Sequence, residues 1–262
     1  MNDKKFLEKT LRVATFAAKT SGEILLSKYK KINYVKDKKE DIQDFVTEAD
    51  IKSEENIREL ISKNFPKHSF LGEECGLIDQ KSEYLWVVDP LCGTANFVNQ
   101  IDLFDVSICL IWKNEPILTV VYDPIKNSLY HAISKQGAYF NDRKVNVSDV
   151  EKISQATIAF TLGKTKSKRK KWLPCIGKLI MSCYKLREYG STPLSIGFLI
   201  TGRIDAYLSL PYLWDAAAGV LLTREAGGKV TDWQGNEWNL DSSSLLVSNG
   251  KIHKQLLKIL NK

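Results

Sequence analysis

Hydrophobic and polar positions follow the period of a helix in the first part of the chain. In residues 5–30, apolar side chains recur every three or four positions, a spacing that places them on one face of a helix. The same spacing predicts a second helix over residues 48–63, and Pro66 ends that region. The buried face of the second helix is expected to consist of Ile51, Ile57, Leu60 and Ile61.

Short apolar or β-branched runs follow in the middle of the chain, and turn residues bound each of them. Such runs predict β-strands. Because the connections between them are short, neighbouring strands are expected to pair antiparallel. The predicted strands cover residues 70–71, 84–88, 106–112, 117–122 and 129–133.

After about residue 150, strand-like and helix-like segments alternate, which is typical of an α/β layer. The fold class is therefore α/β, with an α+β N-terminal lobe over residues 1–145 and an α/β C-terminal lobe over residues 146–262. The predicted strands cover 156–160, 185–188, 206–210, 245–247 and the surroundings of Val230. The predicted helices cover 168–182, 192–201, 214–226 and 251–261.

The composition is that of an ordinary globular protein, with 262 residues, 44% of them hydrophobic and 26% charged. This length fits one large domain or two closely packed lobes. The chain lacks an apolar run of about 18 residues, so no membrane span is expected. Its N-terminus has a charged, amphipathic pattern instead of the apolar core of a signal peptide, which predicts a cytoplasmic protein.

The five cysteines include no C-x-x-C pair, so neither a disulfide framework nor a structural zinc site is expected. Cys92 differs from the others because its neighbours are typical of a functional site. The remaining four, Cys75, Cys109, Cys175 and Cys183, are expected to be small buried hydrophobic residues.

Much of the net charge of +7 comes from residues 164–171, KTKSKRKK. This run fits a solvated loop and helix start. It also fits a basic rim that attracts anionic substrates. No aromatic residues interrupt the run, and no zinc-finger or RNP-type signature occurs, so a nucleic-acid partner is not expected.

Residues 86–97, WVVDPLCGTANF, contain the most informative turn of the chain. An apolar strand ends on Asp89, and a helix can begin after Gly93 and Thr94. Such a turn places a carboxylate beside free backbone N–H groups. This combination suits a metal ion and a phosphate bound together.

Two other segments place acids next to turns. Glu73 and Glu74 follow a predicted strand end at Gly72, and Asp215 opens a helix of small residues. Taken alone, the glutamates fit a solvated turn, and Asp215 fits an acid favoured by the helix dipole. Together with Asp89 they favour a divalent-cation site, because Mg²⁺ requires several oxygen ligands.

Other catalytic arrangements have little support in the sequence. The chain contains no G-x-S-x-G, Walker or G-x-G-x-x-G motif, and His68, His131 and His253 lie in contexts that favour structural positions. A nucleophilic Cys92 would require a base or a cation to form its thiolate, whereas the segment offers acids.

The motifs together resemble the inositol monophosphatase family of lithium-sensitive, metal-dependent phosphatases, in order and over nearly the whole chain. Residues 44–50 match the family's D-x-V-T-x-x-D, and residues 72–74 match its G-E-E. Residues 86–97 match W-x-x-D-P-I/L-D-G-T-x-N-F except at Cys92, and residues 214–228 match W-D-x-A-A-G…E-A-G-G.

The resemblance implies a layered αβαβα sandwich, usually dimeric, that hydrolyses the phosphomonoester of a small metabolite such as inositol monophosphate with Mg²⁺. It places most metal ligands in the N-terminal lobe. A first ion would be held by Glu73, Asp89 and the Leu91 carbonyl. A second ion would be held by Asp89, the position of Cys92, and Asp215 from the C-terminal lobe.

The resemblance also implies the catalytic and substrate-binding residues. Glu73 and Thr94 would orient the attacking water, and Asp50 would lie behind them or hold a weaker ion through water. The N–H groups of Gly93 and Thr94 would hold the phosphate. Gly190 and Ser191 belong to a further matched stretch that is implied to bind substrate.

Cys92 departs from the family pattern, which has an aspartate that bridges to the second ion. A thiol with a pKa of about 8.5 is mostly uncharged at neutral pH. A thiolate is also soft, and suits Zn²⁺ better than Mg²⁺. One interpretation is a phosphatase of reduced activity that uses Mg²⁺, Mn²⁺ or Zn²⁺. Another is a catalytically degenerate protein of the same fold that binds phosphorylated ligands. The third is that the cysteine is an introduced substitution.

The substrate has an alternative as well. Inositol-specific members carry a glutamate shortly before the W-D motif, whereas residues 207–213 contain no carboxylate. An apolar, aromatic rim there would suit a nucleotide, as in the related 3′(2′),5′-bisphosphate nucleotidase branch. The same segment also fits a buried strand followed by a packed turn.

Overall fold

A computed structural model describes residues 4–31, 35–37, 45–163 and 165–261 of the chain. Asp44, the first residue of the D-x-V-T-x-x-D match, lies outside the described residues. The described helices are α1 Lys4–Lys28, α2 Glu48–Asn64, α3 Thr94–Val98, α4 Lys166–Ser182, α5 Thr192–Ile200, α6 Leu213–Glu225 and α7 His253–Leu260. A two-stranded antiparallel ribbon of β1 Val35–Asp37 and β2 Phe45–Thr47 precedes α2.

Helices α1 and α2 form the first layer, as their periodicity predicts. Thr47 caps α2, because its hydroxyl accepts a hydrogen bond from the Ala49 N–H at 3.1 Å, and Asp50 completes a capping box. The prediction that Ile51 is buried is wrong, since its side chain is 46% exposed. At 100° per residue, position 51 lies about 120° from Ile57, the centre of the buried face.

The larger sheet has eight strands in the order β10-β9-β8-β7-β6-β5-β3-β4. All adjacent pairs are antiparallel except β3 with β5, which confirms the antiparallel prediction for most of the sheet. The strands are β3 Ser69–Gly72, β4 Gly76–Ile78, β5 Tyr84–Cys92, β6 Asp105–Trp112, β7 Glu115–Asp123, β8 Ser128–Ile133, β9 Gly137–Phe140 and β10 Arg143–Val145.

The smaller sheet has five strands in the order β12-β11-β13-β15-β14. Strand β11 pairs parallel with both β12 and β13, as the alternation of helices and strands predicts. Strand β15 pairs antiparallel with β13 and β14, so the sheet is mixed. The strands are β11 Thr157–Thr161, β12 Lys185–Arg187, β13 Ala206–Ser209, β14 Lys229–Thr231 and β15 Leu245–Ser248.

The helices and sheets form five layers, and three hydrophobic cores pack these layers together. One core packs α1 and α2 against the larger sheet, and Trp86 and Val88 are buried there. The middle core packs α5 and α6 between the two sheets. The third packs α4 and α7 against the outer face of the smaller sheet, around Trp172. The αβαβα layering is therefore confirmed.

The middle core contains residues from both sides of position 145, such as Val121 and Leu222. The division into lobes over residues 1–145 and 146–262 stays a prediction. Cys109 and Cys175 are buried as predicted, whereas Cys75 is exposed and Cys183 is half-buried. Cys75 lies in the turn between β3 and β4, outside the three cores. In the described part of the chain, no helix has the length and apolar character that crossing a membrane requires.

His68 makes the fold sensitive to acid. Its ring stacks on Tyr84 with centroids 4.5 Å apart, and its Nδ1 accepts a hydrogen bond from Trp86 Nε1 at 3.1 Å. Burial lowers the pKa of His68 to about 4. Because the folded pKa lies below the unfolded value of about 6.5, the stabilisation is complete above pH 6.5 and is lost as the pH falls towards 4.

The free energy of unfolding of the wild type should fall between pH 7 and pH 5. We expect this fall to be about 1 kcal/mol smaller in His68→Gln, a value that allows for solvent screening at the half-buried ring. Glutamine keeps an acceptor for Trp86 but does not titrate. Urea unfolding of the metal-free protein at both pH values measures the effect, with the exposed neighbour Lys67→Gln as the control. An unchanged pH dependence in His68→Gln would contradict this assignment.

Candidate active site

The irregular C-terminal end of β5 places Asp89 next to the start of α3. The pairing of β5 with β6 is irregular between Asp89 and Cys92, where the strand bends. Gly93 has a φ of 95°, and a Cβ there would lie 2.9 Å from the Leu103 carbonyl oxygen. Asp89 Oδ1 accepts a hydrogen bond from the Leu91 N–H at 3.1 Å. The motif thus holds one carboxylate within a bent turn that only glycine can close.

A buried glutamate from α2 fixes the second acidic segment. Glu54 accepts hydrogen bonds from the N–H groups of Glu74 at 2.9 Å and Cys75 at 2.7 Å. A Cβ at Gly72 would overlap this carboxylate, so glycine lets the turn close onto it. Glu73, directly after β3, is positioned by this turn. The sequence pattern pointed to the two adjacent glutamates but did not indicate Glu54.

The third segment brings Asp215 to the same place from the C-terminal half of the chain. Its Oδ2 accepts a hydrogen bond from the Tyr212 N–H at 2.9 Å at the start of α6. One ligand atom each from Asp89, Cys92 and Asp215 lies within 4.8 Å of the other two. The structure therefore brings together residues more than a hundred positions apart in the sequence, as expected for a shared ion.

A cavity of about 240 Å³ opens in front of these residues. Its wall contains seven of the predicted site residues, Glu73, Asp89, Leu91, Cys92, Gly93, Thr94 and Asp215. Gly190 is also in the wall, where a Cβ would lie 2.7 Å from Asn96 Nδ2. Asp50 and Ser191 are buried outside the wall of the cavity, so neither faces a ligand in it directly.

Asp50 lies behind Thr94. The Thr94 hydroxyl is 3.1 Å from the Leu91 carbonyl oxygen and 3.3 Å from Asp50 Oδ1. Asp50 Oδ2 accepts hydrogen bonds from the Thr47 N–H at 2.8 Å and the Thr47 hydroxyl at 2.6 Å. Burial raises the pKa of Asp50 to about 7 despite these bonds. Asp50 therefore positions Thr94 from the second helix.

The electrostatics of the cavity favour a bound cation. Burial raises the pKa of Asp89 well above its usual range, and the charges of Glu73 and Asp215 add to the effect. Burial and the charge of Asp89 likewise raise the pKa of the Cys92 thiol, so this thiol is uncharged at neutral pH. A divalent ion would offset the repulsion among the acids, and carboxylate and carbonyl oxygens are suitable ligands for Mg²⁺. These donors fit a metal ion. Cys92 differs from the others, because its sulfur is soft and its thiol is uncharged.

Asp105 is a buried acid that the sequence pattern did not identify. It is the first residue of β6 and is fully buried. Its Oδ2 accepts a hydrogen bond from the Ser191 hydroxyl at 2.5 Å. Ser191 also caps α5 by accepting from the Leu194 N–H at 3.1 Å. The only sequence signal for Asp105 is an acid at the beginning of a strongly apolar strand.

The lysine-rich segment forms a helix start and also part of the cavity wall, in agreement with both predictions for it. Thr165 caps α4 by accepting a hydrogen bond from the Lys168 N–H at 3.1 Å, so the segment is a helix start. Lys168 and Arg169 also line the cavity. Lys168 Nζ lies 3.8 Å from the centroid of the Tyr212 ring, a cation–π contact at the cavity wall. This part of the run is a basic rim.

A five-layer αβαβα sandwich, with an acid-lined cavity built from both halves of the chain, defines a protein with the sugar-phosphatase type of fold. The model of the inositol monophosphatase family matches residues 7–262. The chain belongs to the inositol monophosphatase family. Family membership supports a phosphatase, and the family is generally metal-dependent.

Three relatives illustrate the similarity. A protein of Pasteurella multocida named Nus factor SuhB is 35% identical over 251 residues, 94% of each chain. Inositol monophosphatase 3 of Solanum lycopersicum is 34% identical over 263 residues, 97% of each chain. The crystal structure of the extragenic suppressor protein suhB from Bartonella henselae has a TM-score of 0.92 at 31% identity, covering 97% of this chain and 99% of that one.

Proposed function

We propose that this protein is a metal-dependent phosphomonoesterase that hydrolyses a small phosphorylated metabolite such as inositol monophosphate. The observation that carries the proposal is the convergence of Asp89, Cys92 and Asp215, within 4.8 Å of one another, beside the start of α3 in a cavity with a basic rim. A cation next to a glycine-bounded helix start suits the phosphate of a monoester. The name of the Solanum lycopersicum relative supports the inositol substrate.

The residues divide between two ions in the proposed site. Glu73, Asp89 and the Leu91 carbonyl would hold one ion, and Asp89, Cys92 and Asp215 the other. When bound, these ions supply charge neutralisation for the phosphate and a water of lowered pKa.

Protein groups supply the rest of the proposed chemistry. Glu73 and Thr94 orient the attacking water, and Asp50 fixes the Thr94 hydroxyl from behind. The N–H groups of Gly93 and Thr94 bind phosphate oxygens. Gly190 contacts the substrate at the cavity wall, and Ser191 contributes by fixing the start of α5 behind that wall. Phosphoryl transfer depends mainly on such positioning and charge stabilisation, so a covalent nucleophile is not required.

A metal titration with a panel of phosphomonoesters tests the proposal. We expect turnover that depends on Mg²⁺ or Mn²⁺, with Zn²⁺ as a further candidate because Cys92 offers sulfur. Absence of turnover with each of these ions, together with a ligand-induced rise in melting temperature, would favour the degenerate ligand-binding protein instead.

The substrate alternative is a 3′(2′),5′-bisphosphate nucleotide. Leu210, Pro211 and Tyr212 line the cavity, so the segment before α6 presents apolar and aromatic groups instead of the sugar-binding carboxylate of the inositol-specific members. Strand β13 is buried, whereas the residues after it line the cavity, which is compatible with either substrate. Comparing kcat/KM for inositol 1-phosphate and adenosine 3′,5′-bisphosphate decides between the two substrates.

The rim lysine and arginine should act on substrate binding. We expect Lys168→Gln and Arg169→Gln each to raise KM for an anionic phosphomonoester about three- to tenfold with a smaller change in kcat, because each removes a partly solvated positive charge from the wall. The exposed neighbour Lys170→Gln, outside the cavity wall, is the control. Equal KM values for the rim and control variants would refute a role for the rim in substrate binding.

The remaining proposals concern the setting of the protein. We propose a cytoplasmic homodimer, which a sizing measurement tests. The expectation that nucleic acid is not a partner gains no support from the comparisons, because the Pasteurella multocida relative carries the name Nus factor.

A further inference from the structure

Asp105 faces Cys92 across two paired strands. In the register of β5 and β6, Asp105 is the Cα partner of Cys92. Side chains of directly opposed residues in an antiparallel pair lie on the same face of the sheet, about 5 Å apart at Cβ. Asp105 therefore lies beside the position at which the ion site has a thiol in place of a carboxylate.

The two carboxylate oxygens of Asp105 have different surroundings. Its Oδ2 accepts the hydrogen bond of Ser191, whereas Oδ1 is buried without a hydrogen-bond partner among the described residues. A buried carboxylate with an unsatisfied oxygen is costly unless a cation or another donor compensates it. The charges that act on Asp105 are acidic, and they include Asp215 of the proposed ion site. Ser191 therefore satisfies one oxygen of this buried carboxylate, and the other oxygen is available to a cation or a water.

We propose that Asp105 supplies a carboxylate oxygen to the ion held by Asp89 and Asp215, directly or through a bound water. Cys92 is the one sulfur donor of the group, and Asp105, its Cα partner on the neighbouring strand, offers a carboxylate beside it. Ser191 fixes one oxygen of that carboxylate, which leaves the other for the ion or for a water bound to it. The inference rests on the metal dependence proposed above.

Metal binding measured without substrate tests the inference. Mn²⁺ binding to the full-length metal-free protein is followed by electron paramagnetic resonance, for wild type, Asp105→Asn and the double variant Cys92→Asp/Asp105→Asn. We expect Asp105→Asn to weaken one Mn²⁺ site at least tenfold, and the double variant to return within threefold of wild type. Asp123→Asn is the matched control, because Asp123 is also a buried acid of this sheet but binds Lys126 at 3.1 Å.

Each outcome decides the inference. Wild-type Mn²⁺ affinity in Asp105→Asn, or a loss that the aspartate at position 92 does not repair, would overturn it. Failure of both Asp105 variants to fold would assign a structural role and overturn it as well. A wild type that binds Mn²⁺ in an Asp105-dependent way but hydrolyses no phosphomonoester would keep the inference and reject the proposed function. Turnover with unaltered Mn²⁺ binding in Asp105→Asn would do the reverse.

Discussion

Replacing Asp89 by asparagine is expected to lower kcat/KM for a phosphomonoester by about three orders of magnitude. Asp89 is the one side chain proposed to contact both ions, and it lies at the centre of the acidic group. Metal ions supply several kcal/mol of charge stabilisation, and each 1.36 kcal/mol corresponds to about a factor of ten in rate. Steady-state kinetics with Mg²⁺ and with Mn²⁺ measure the loss.

The stability of the Asp89→Asn variant should change in the opposite direction. Burial and acidic neighbours raise the folded-state pKa of Asp89 above its unfolded value, so stability is lost as the pH rises through that range. At pH 7 the metal-free Asp89→Asn protein should therefore melt at a higher temperature than wild type. It should also show a smaller rise in melting temperature when Mg²⁺ is added.

Asp123→Asn serves as the control for this variant too. Asp123 is as deeply buried as Asp89 and lies in the same sheet, but it pairs with Lys126 and is outside the cavity wall. We expect it to destabilise the protein with little change in turnover. An Asp89→Asn enzyme that retains a tenth or more of wild-type activity would contradict the shared-ligand assignment.

Most of the layer order follows from local patterns in the sequence. Helical periodicity and alternating strands each reflect one buried face, so residues 84–88 and 192–201 indicated β5 and α5 without knowledge of the fold. The sequence patterns did not predict five short strands. Strands β4, β9 and β10 have only three or four residues and lie towards the two edges of the larger sheet, and β1 and β2, with three residues each, form the separate ribbon. Such strands bury too little apolar surface to leave a pattern.

The parts of the candidate site that lie within a single turn could be predicted from the sequence. Asp89 and Gly93 belong to one bent turn, and Glu73 follows a glycine that must approach Glu54 closely. Asp105 was not predictable, because its role depends on which residue of β5 it faces. Lys168 reaches the cavity wall only through the packing of α4 beside the smaller sheet. Long-range register and layer packing are properties that a single local pattern does not contain.

Replacing Cys92 by aspartate is expected to strengthen Mg²⁺ binding and to raise the activity with Mg²⁺. The thiol is uncharged at neutral pH because burial and Asp89 raise its pKa. An ionised carboxylate is a harder and charged ligand, so Mg²⁺ affinity should increase about tenfold or more. Activity with Mg²⁺ should rise in parallel, while any preference for Zn²⁺ should fall. Isothermal titration with Mg²⁺ and Zn²⁺, with kinetics at saturating metal, measures both changes.

Cys92→Ser is the matched control, because a hydroxyl is a hard donor that stays neutral. An increase that is large for aspartate and small for serine would assign the effect to charge. Equal gains would assign it to the removal of sulfur, and no gain from either variant would show that position 92 does not contribute to the ion site.

The size of the aspartate gain also depends on Asp105. If the neighbouring carboxylate already supplies part of the charge, Cys92→Asp adds a second acid to a compensated site. Its effect on Mg²⁺ affinity should then be smaller in wild type than in the Asp105→Asn background. The effects of substitutions at two residues that act on the same ion are not additive. The difference between the two gains in Mg²⁺ affinity measures the coupling of positions 92 and 105. The metal-free Cys92→Asp protein should be less stable than wild type, because the charges of Asp89, Asp105 and Asp215 already act on position 92.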